Sequence, residues 1–181
     1  MHNLWRHVID YQGGDWNLDD KTGIYVATEV FGYRISIACN HCADAACVSN
    51  CPTGAMQKDS DTGIVWTDPN VCIGCKTCQS VCPYGAPSYL EEKGVMSKCD
   101  MCKAEVLEGS GIPICVSGCP MRALDFGSRE DMISAYGEGN MEIEPLPQNT
   151  TNPNMIMTPH RDAQATGSGT GETLNFEDEF R

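Results

Sequence analysis

The chain has 181 residues, 41% of them hydrophobic and 7% aromatic, and a formal net charge of −13. That suffices for one or two small domains, and the acidity argues against nucleic acid as a partner because phosphate binding needs a basic face. No segment reaches the roughly 18 apolar residues of a membrane span, and Asp10, Gly13, Gly14, Asp15, Asp19 and Asp20 break up any secretory apolar run in residues 1–20.

Twelve cysteines, eighteen glycines and ten prolines indicate loops stapled by metal or disulfides rather than a large core. In chain order, residues 1–29 have weak periodicity and read as an interface strap. Residues 30–61 and 62–92 read as two cysteine-rich repeats, and 93–137 as a third cysteine block with a short helix. Residues 138–181, rich in Pro, Asn, Thr and Gly, read as an extended tail that wraps a partner or the domain itself. The expected fold class is α+β: tandem repeats with short hairpins and an extended C-terminal tail.

The first block is Cys39, Cys42, Cys47 and Cys51, with gaps of two, four and three residues. The second is Cys72, Cys75, Cys78 and Cys82, with gaps of two, two and three. The third is Cys99, Cys102, Cys115 and Cys119, with gaps of two, twelve and three. All three end in Cys-Pro, at Pro52, Pro83 and Pro120, an internal repeat. Met56-Gln57-Lys58 with Ile64-Val65-Trp66-Thr67 around an Asp/Gly turn, and Ser88-Tyr89-Leu90 with Val95-Met96-Ser97 around the turn Glu91-Glu92-Lys93-Gly94, predict hairpins. A further short strand, Ala123-Leu124-Asp125-Phe126, is expected to close the third unit. Ser128-Arg129-Glu130-Asp131 resembles a capping box opening a helix that stops near Gly137.

A cubane cluster takes four soft thiolates. Cysteines two apart on a tight loop reach adjacent corners, and the last, before proline, is expected to be turned away by the start of a helix. In bacterial two-cluster ferredoxins that last cysteine ligates the other cluster. Applied here, one cluster takes Cys39, Cys42, Cys47 and Cys82, and the other takes Cys72, Cys75, Cys78 and Cys51. Gly74 and Gly85 are expected where backbone passes close to the inorganic core.

Zinc, the competing metal, wants thiolates in two pairs and leaves the third closely spaced cysteine of the second block without a role. A disulfide framework leaves the Cys-Pro repeats unexplained. Haem attachment needs Cys-x-x-Cys-His, and His41 lies inside its pair rather than after it. A radical S-adenosylmethionine enzyme needs a Cys-x₃-Cys-x₂-Cys run, which is absent. Electron transfer is the remaining reading, with a zinc-stabilised interaction module as the alternative from another class. His41 either tunes a cluster or is a loop histidine. Lys76, Lys98, Lys103 and Arg122 either offset cluster charge or are surface cations. Trp66 reads as packing, and residues 167–171, glycine-rich but without a lysine, read as flexible tail rather than a phosphate loop. No catalytic constellation is evident.

The blocks resemble the iron–sulfur B subunit of the dimethyl sulfoxide reductase family. The residues that carry this are Ser36-Ile37-Ala38-Cys39-Asn40-His41-Cys42, Val71-Cys72-Ile73-Gly74-Cys75, Cys82-Pro83-Tyr84-Gly85-Ala86-Pro87, Lys98-Cys99-Asp100 and Ile114-Cys115. Arg122 to Gly127, Pro145-Leu146-Pro147 and Gly13-Gly14-Asp15-Trp16 add to them. The resemblance implies a non-catalytic wire of 4Fe–4S clusters between a quinol-oxidising membrane anchor and a molybdopterin-containing catalytic subunit that reduces sulfoxides or N-oxides in anaerobic respiration. It implies membrane association through partner subunits, with no direct substrate binding. An equivalent subunit of a related reductase or of a formate dehydrogenase is the alternative within the class. The family has a further cysteine block near its start, which this sequence lacks. The resemblance pairs that block with Cys99 to Cys119, so the expectation is two complete clusters and a third site left incomplete or closed by Cys119.

Overall fold

The computed structural model describes residues 4–108 and 111–175. Two long antiparallel strands, β1 (Arg6–Asp19) and β2 (Ile24–Ala38), form a hairpin where the sequence suggested a strap followed by a repeat. Its alternation is real only near the base. There Ile9 and Tyr11 pair with Ile35 and Tyr33, and with Ile37 they turn one apolar face inward. Past a bulge between Gly13 and Asp15, Trp16, Leu18, Ile24 and Tyr25 are exposed, so the outer half shows no buried stripe to read. Gly14 has φ +120° at this bulge, and a Cβ on it would sit 2.6 Å from Val30 Cα, so glycine is required. The Asp19 carboxylate closes the turn, accepting from the Lys21 N–H at 3.0 Å and the Thr22 hydroxyl at 2.7 Å.

The middle of the chain builds two loop–helix–hairpin units. The first comprises α1 (Ala46–Ser49), β3 (Met56–Lys58) and β4 (Val65–Thr67), and the second α2 (Thr77–Ser80), β5 (Ser88–Leu90) and β6 (Val95–Ser97). Both hairpins fall where the alternation placed them. They meet over a small core of Cys47, Met56, Val65, Cys78 and Met96. Each large apolar side chain buried there contributes about 1.5–3 kcal/mol relative to exposure.

Downstream come α3 (Lys103–Glu108), α4 (Ile114–Ser117) and α5 (Arg129–Tyr136). One sequence expectation is reversed in all three blocks. The final cysteine does not stand at the start of a helix. A one-turn helix carries the third cysteine (Cys47 in α1, Cys78 in α2, Cys115 in α4) and ends before Cys51, Cys82 and Cys119. Proline disfavours the helical conformation of the residue before it, so each Cys-Pro step ends its helix. A second correction falls on residues 123–126, which form no strand. The Ser128 cap is present: its hydroxyl accepts from the Asp131 N–H at 3.1 Å and donates to the Asp131 carboxylate at 2.7 Å.

The segment after Gly137 is irregular but firmly packed. Met141, Ile143 and Leu146 lie buried against Ile9, Tyr11, Tyr33, Ile35, Ile37 and Tyr84. A last strand, β7 (Glu172–Thr173), pairs with Tyr11 and Gln12, giving the sheet order β2-β1-β7. The glycine-rich run 167–171 is not a loose tail. The N–H groups of Gly167 and Gly169 donate to the Glu144 carboxylate at 2.6 and 3.3 Å, and that of Gly171 donates to the Tyr11 hydroxyl at 3.0 Å.

Candidate iron–sulfur sites

Two clefts lie between the cysteine loops. The first, about 400 Å³, is lined by Cys39, Cys42, Cys47 and Cys82 together with Asn40, His41, Val65, Tyr84, Lys98 and Thr151. The second, about 290 Å³, is lined by Cys51, Cys72, Cys75 and Cys78 with Met56, Thr67, Ile73, Thr77 and Met96. Each therefore holds three thiols of one loop and the last thiol of the other. Cys99, Cys102, Cys115 and Cys119 line neither. Among the described residues no three His, Cys, Asp or Glu side chains converge as one ion would require. Tetrahedral zinc needs all its sulfurs about 2.3 Å from one point, whereas a cubane takes one thiolate at each of four corners.

The loops repeat one backbone device. The residue just before the second cysteine of each block has positive φ: His41 at 44°, Gly74 at 68° and Met101 at 61°. Glycine at 74 has a packing reason of its own. A Cβ there would strike the Gly94 carbonyl and come within 2.9 Å of the Tyr89 ring, so the constraint is packing against the β5–β6 hairpin. At Gly85 the φ of +63° alone calls for glycine.

Burial pushes the Cys47 thiol up to about 12 and the Cys78 thiol up to about 11, and raises Cys42, Cys82 and Cys99. These sulfurs are protonated without a metal, and iron bound to them would supply the charge that holds them as thiolates. Other thiols are prepared by donors. At Cys51 burial works upward, but the Met56 N–H at 3.4 Å and Thr53 outweigh it and lower the pKa. The Thr77 hydroxyl, 3.4 Å from Cys75, lowers that thiol. The Met96 N–H donates to Cys72 Sγ at 3.3 Å. Backbone and hydroxyl groups aimed at sulfur orient the thiolates and draw off part of their negative charge, as a cluster's ligands require.

In the first cleft the donors are mostly side chains. The Thr151 hydroxyl donates to Cys42 Sγ at 3.2 Å. His41 is 2% exposed, and its Nδ1 accepts the Val65 N–H at 2.8 Å. Burial first, then the charges of Lys98 and Lys58, hold that imidazole down to about 3. The His41 Nε2 and the Asn40 side-chain amide are buried with no partner among the described residues. Orphaned buried polar atoms cost stability, and the acceptor sulfurs of a cluster fit the two nitrogen donors, His41 Nε2 and Asn40 Nδ2.

Of the four cations singled out by sequence, only Lys98 lines a cleft. It is 5% exposed and donates to the Val65 carbonyl and, at 2.9 Å, to the Cys99 carbonyl. Lys76 lies over the Tyr89 ring at 4.4 Å and Lys103 over the Trp66 ring at 3.9 Å. Arg122 donates to the Ser117 carbonyl at 3.3 Å.

Sequence reading missed the clamp on the first loop. The Ala43 N–H donates to the Asn152 carbonyl at 2.7 Å and the Asp44 N–H to the Thr151 carbonyl at 3.1 Å. The Asn154 amide donates to the His41 carbonyl at 2.7 Å, and Lys58 reaches the Cys42 and Ala43 carbonyls at 2.9 and 2.7 Å. In the third block, burial raises the Cys99 thiol, and the charges of Cys39 and Cys115 add to the rise. The Arg6 guanidinium lies 3.6 Å from Cys115 Sγ, and the Ala123 N–H donates to Cys119 Sγ at 3.4 Å.

Fold and clefts define a protein built to carry iron–sulfur clusters, and a family model described as a 4Fe-4S dicluster domain matches residues 30–129. The sequence is 46% identical over 175 residues to the probable anaerobic dimethyl sulfoxide reductase subunit YnfG of Escherichia coli strain K12, covering 96% of this protein and 82% of that one. It is 46% identical over 172 residues to the B subunit of anaerobic dimethyl sulfoxide reductase from the same strain, covering 94% and 81%. The Haemophilus influenzae B subunit is 44% identical over 168 residues, covering 92% and 80%. The chain therefore belongs to the family of the iron–sulfur B subunit of dimethyl sulfoxide reductase, as an electron-transfer subunit and not a catalytic one. No helix among the described residues is long and apolar enough to cross a membrane.

Proposed function

We propose that this protein carries electrons through 4Fe–4S clusters from a quinol-oxidising membrane anchor to a molybdopterin-containing catalytic subunit that reduces sulfoxides or N-oxides. The near-full-length similarity to dimethyl sulfoxide reductase subunits supports that setting over a related reductase. Membrane association then comes through the partner subunits, and no substrate binds here.

The observation that carries the reading is the exchange of last thiols between the two clefts. Cys39, Cys42, Cys47 and Cys82 ligate one cluster, and Cys72, Cys75, Cys78 and Cys51 the other. When bound, each cluster accepts and releases one electron. The protein's part is to hold both rigidly in neighbouring clefts, exclude water from the first with Tyr84 and the tail, and direct donors at the sulfurs. Cys99, Cys102, Cys115 and Cys119 supply ligands for further cluster iron.

Anaerobic reconstitution with iron and sulfide analysis and EPR of the reduced protein tests this. The expected result is a brown protein with at least the roughly eight irons of two 4Fe–4S clusters. Further iron lost on substituting Cys99 assigns the third block. A colourless, zinc-loaded protein overturns the reading.

A further inference from the structure

Equivalent positions in the two loops carry different residues: Cys39-Asn40-His41-Cys42 in the first, Cys72-Ile73-Gly74-Cys75 in the second. Gly74 meets the required positive φ without penalty. His41 holds a φ of 44° that a side chain rarely adopts. Met101, at the equivalent position of the third loop, also takes positive φ, so what sets His41 apart is where its ring lies rather than its backbone.

The geometry defines the ring's proton. Nδ1 accepts the Val65 N–H at 2.8 Å and so carries none, which leaves Nε2 as an N–H donor. That nitrogen is buried, lacks any partner among the described residues, and belongs to a ring lining the first cleft beside four thiols. The backbone of this residue is held as well, since the Asn154 amide donates to the His41 carbonyl. A fixed, water-free donor beside a cluster favours the more negative, reduced state.

We propose that His41 donates its Nε2–H to a sulfur of the cluster in the first cleft and thereby raises that cluster's reduction potential. The proposal rests on the cluster reading above. The second loop, with Ile73 and Gly74 at these positions, has no side-chain counterpart.

The test is an EPR-monitored redox titration of the intact complex carrying the unsubstituted protein, His41→Phe or His41→Gln. His41→Phe lowers the midpoint potential of the first cluster alone. His41→Gln, which restores an N–H donor, recovers part of the shift. An unchanged midpoint in a His41→Phe complex with full iron and sulfide content overturns the proposal. Electron spin-echo spectroscopy of the unsubstituted complex with ¹⁵N-histidine in this subunit decides it independently, including where the Phe variant fails to assemble. Coupling of a reduced cluster to a histidine nitrogen supports it, and no such coupling overturns it. Absence of any iron–sulfur signal sinks the cluster reading itself, whereas signals without histidine coupling sink only this inference.

Discussion

The two clefts come from the same loop–helix–hairpin plan yet differ in what surrounds the sulfurs. Around the first, donors are side chains: Thr151 at Cys42 from a distant part of the chain, His41 and Asn40 of the loop itself, without partners among the described residues, and the Lys98 ammonium beside them. Around the second, they are local groups: the N–H groups of Met56 and Met96 and the Thr53 and Thr77 hydroxyls. Cys75 is exposed there, while every thiol of the first cleft is buried or partly buried. Duplicating a ligand loop thus does not duplicate its electrostatics. Side-chain donors at the first cleft can be removed singly, but the N–H groups at the second cannot.

The sharpest way to break the comparison is at the exchanged thiols. Cys82→Ser removes the cluster of the first cleft and spares the one served by its own loop, and Cys51→Ser does the reverse. Iron counts and EPR of the paired variants check this, and loss confined to the variant's own loop contradicts it. Gly74→Ala is next. Its Cβ meets the Gly94 carbonyl in a backbone region worth about 1–3 kcal/mol of strain, so thermal melting drops and the second cluster is lost first on dilution or chelation.

Lys98→Met leaves the carbonyls of Val65 and Cys99 without their ammonium, at about 1–3 kcal/mol for each buried acceptor left unpaired. Denaturant unfolding should register the loss. The same variant lowers the first cluster's potential, since a nearby cation favours the reduced state. Thr151→Val removes one hydroxyl from Cys42 and costs about 0.5–1.5 kcal/mol, with a smaller downward potential shift at the same cluster. Smallest is Ser128→Ala, which takes about 1 kcal/mol from the α5 cap and leaves both EPR signals unchanged.

Much of the local design was legible in the sequence. The Cys-x₂-Cys spacings group the thiols, alternation around Asp/Gly turns places the two short hairpins, and Ser128 with Asp131 announces α5. What stayed hidden depends on contacts far apart in the chain. Residues 6–38 gave little strand signal because only Ile9, Tyr11, Tyr33, Ile35 and Ile37 face a core, while Trp16, Ile24 and Tyr25 face outward. Thr151 and Asn154 lie more than one hundred positions from the loop they hold, and nothing in a Pro/Asn/Thr-rich stretch marks them as partners of Cys42 and His41. The helix preceding each Cys-Pro step was foreseeable from the proline, and was placed on its wrong side.

Because Thr151, Asn152 and Asn154 fasten the loop of residues 40–44, the order of synthesis bears on when that loop is set. All eight thiols of the two clefts leave the ribosome before that fastening exists. The loop of the first cleft accordingly acquires these hydrogen bonds only once the C-terminal third has been made.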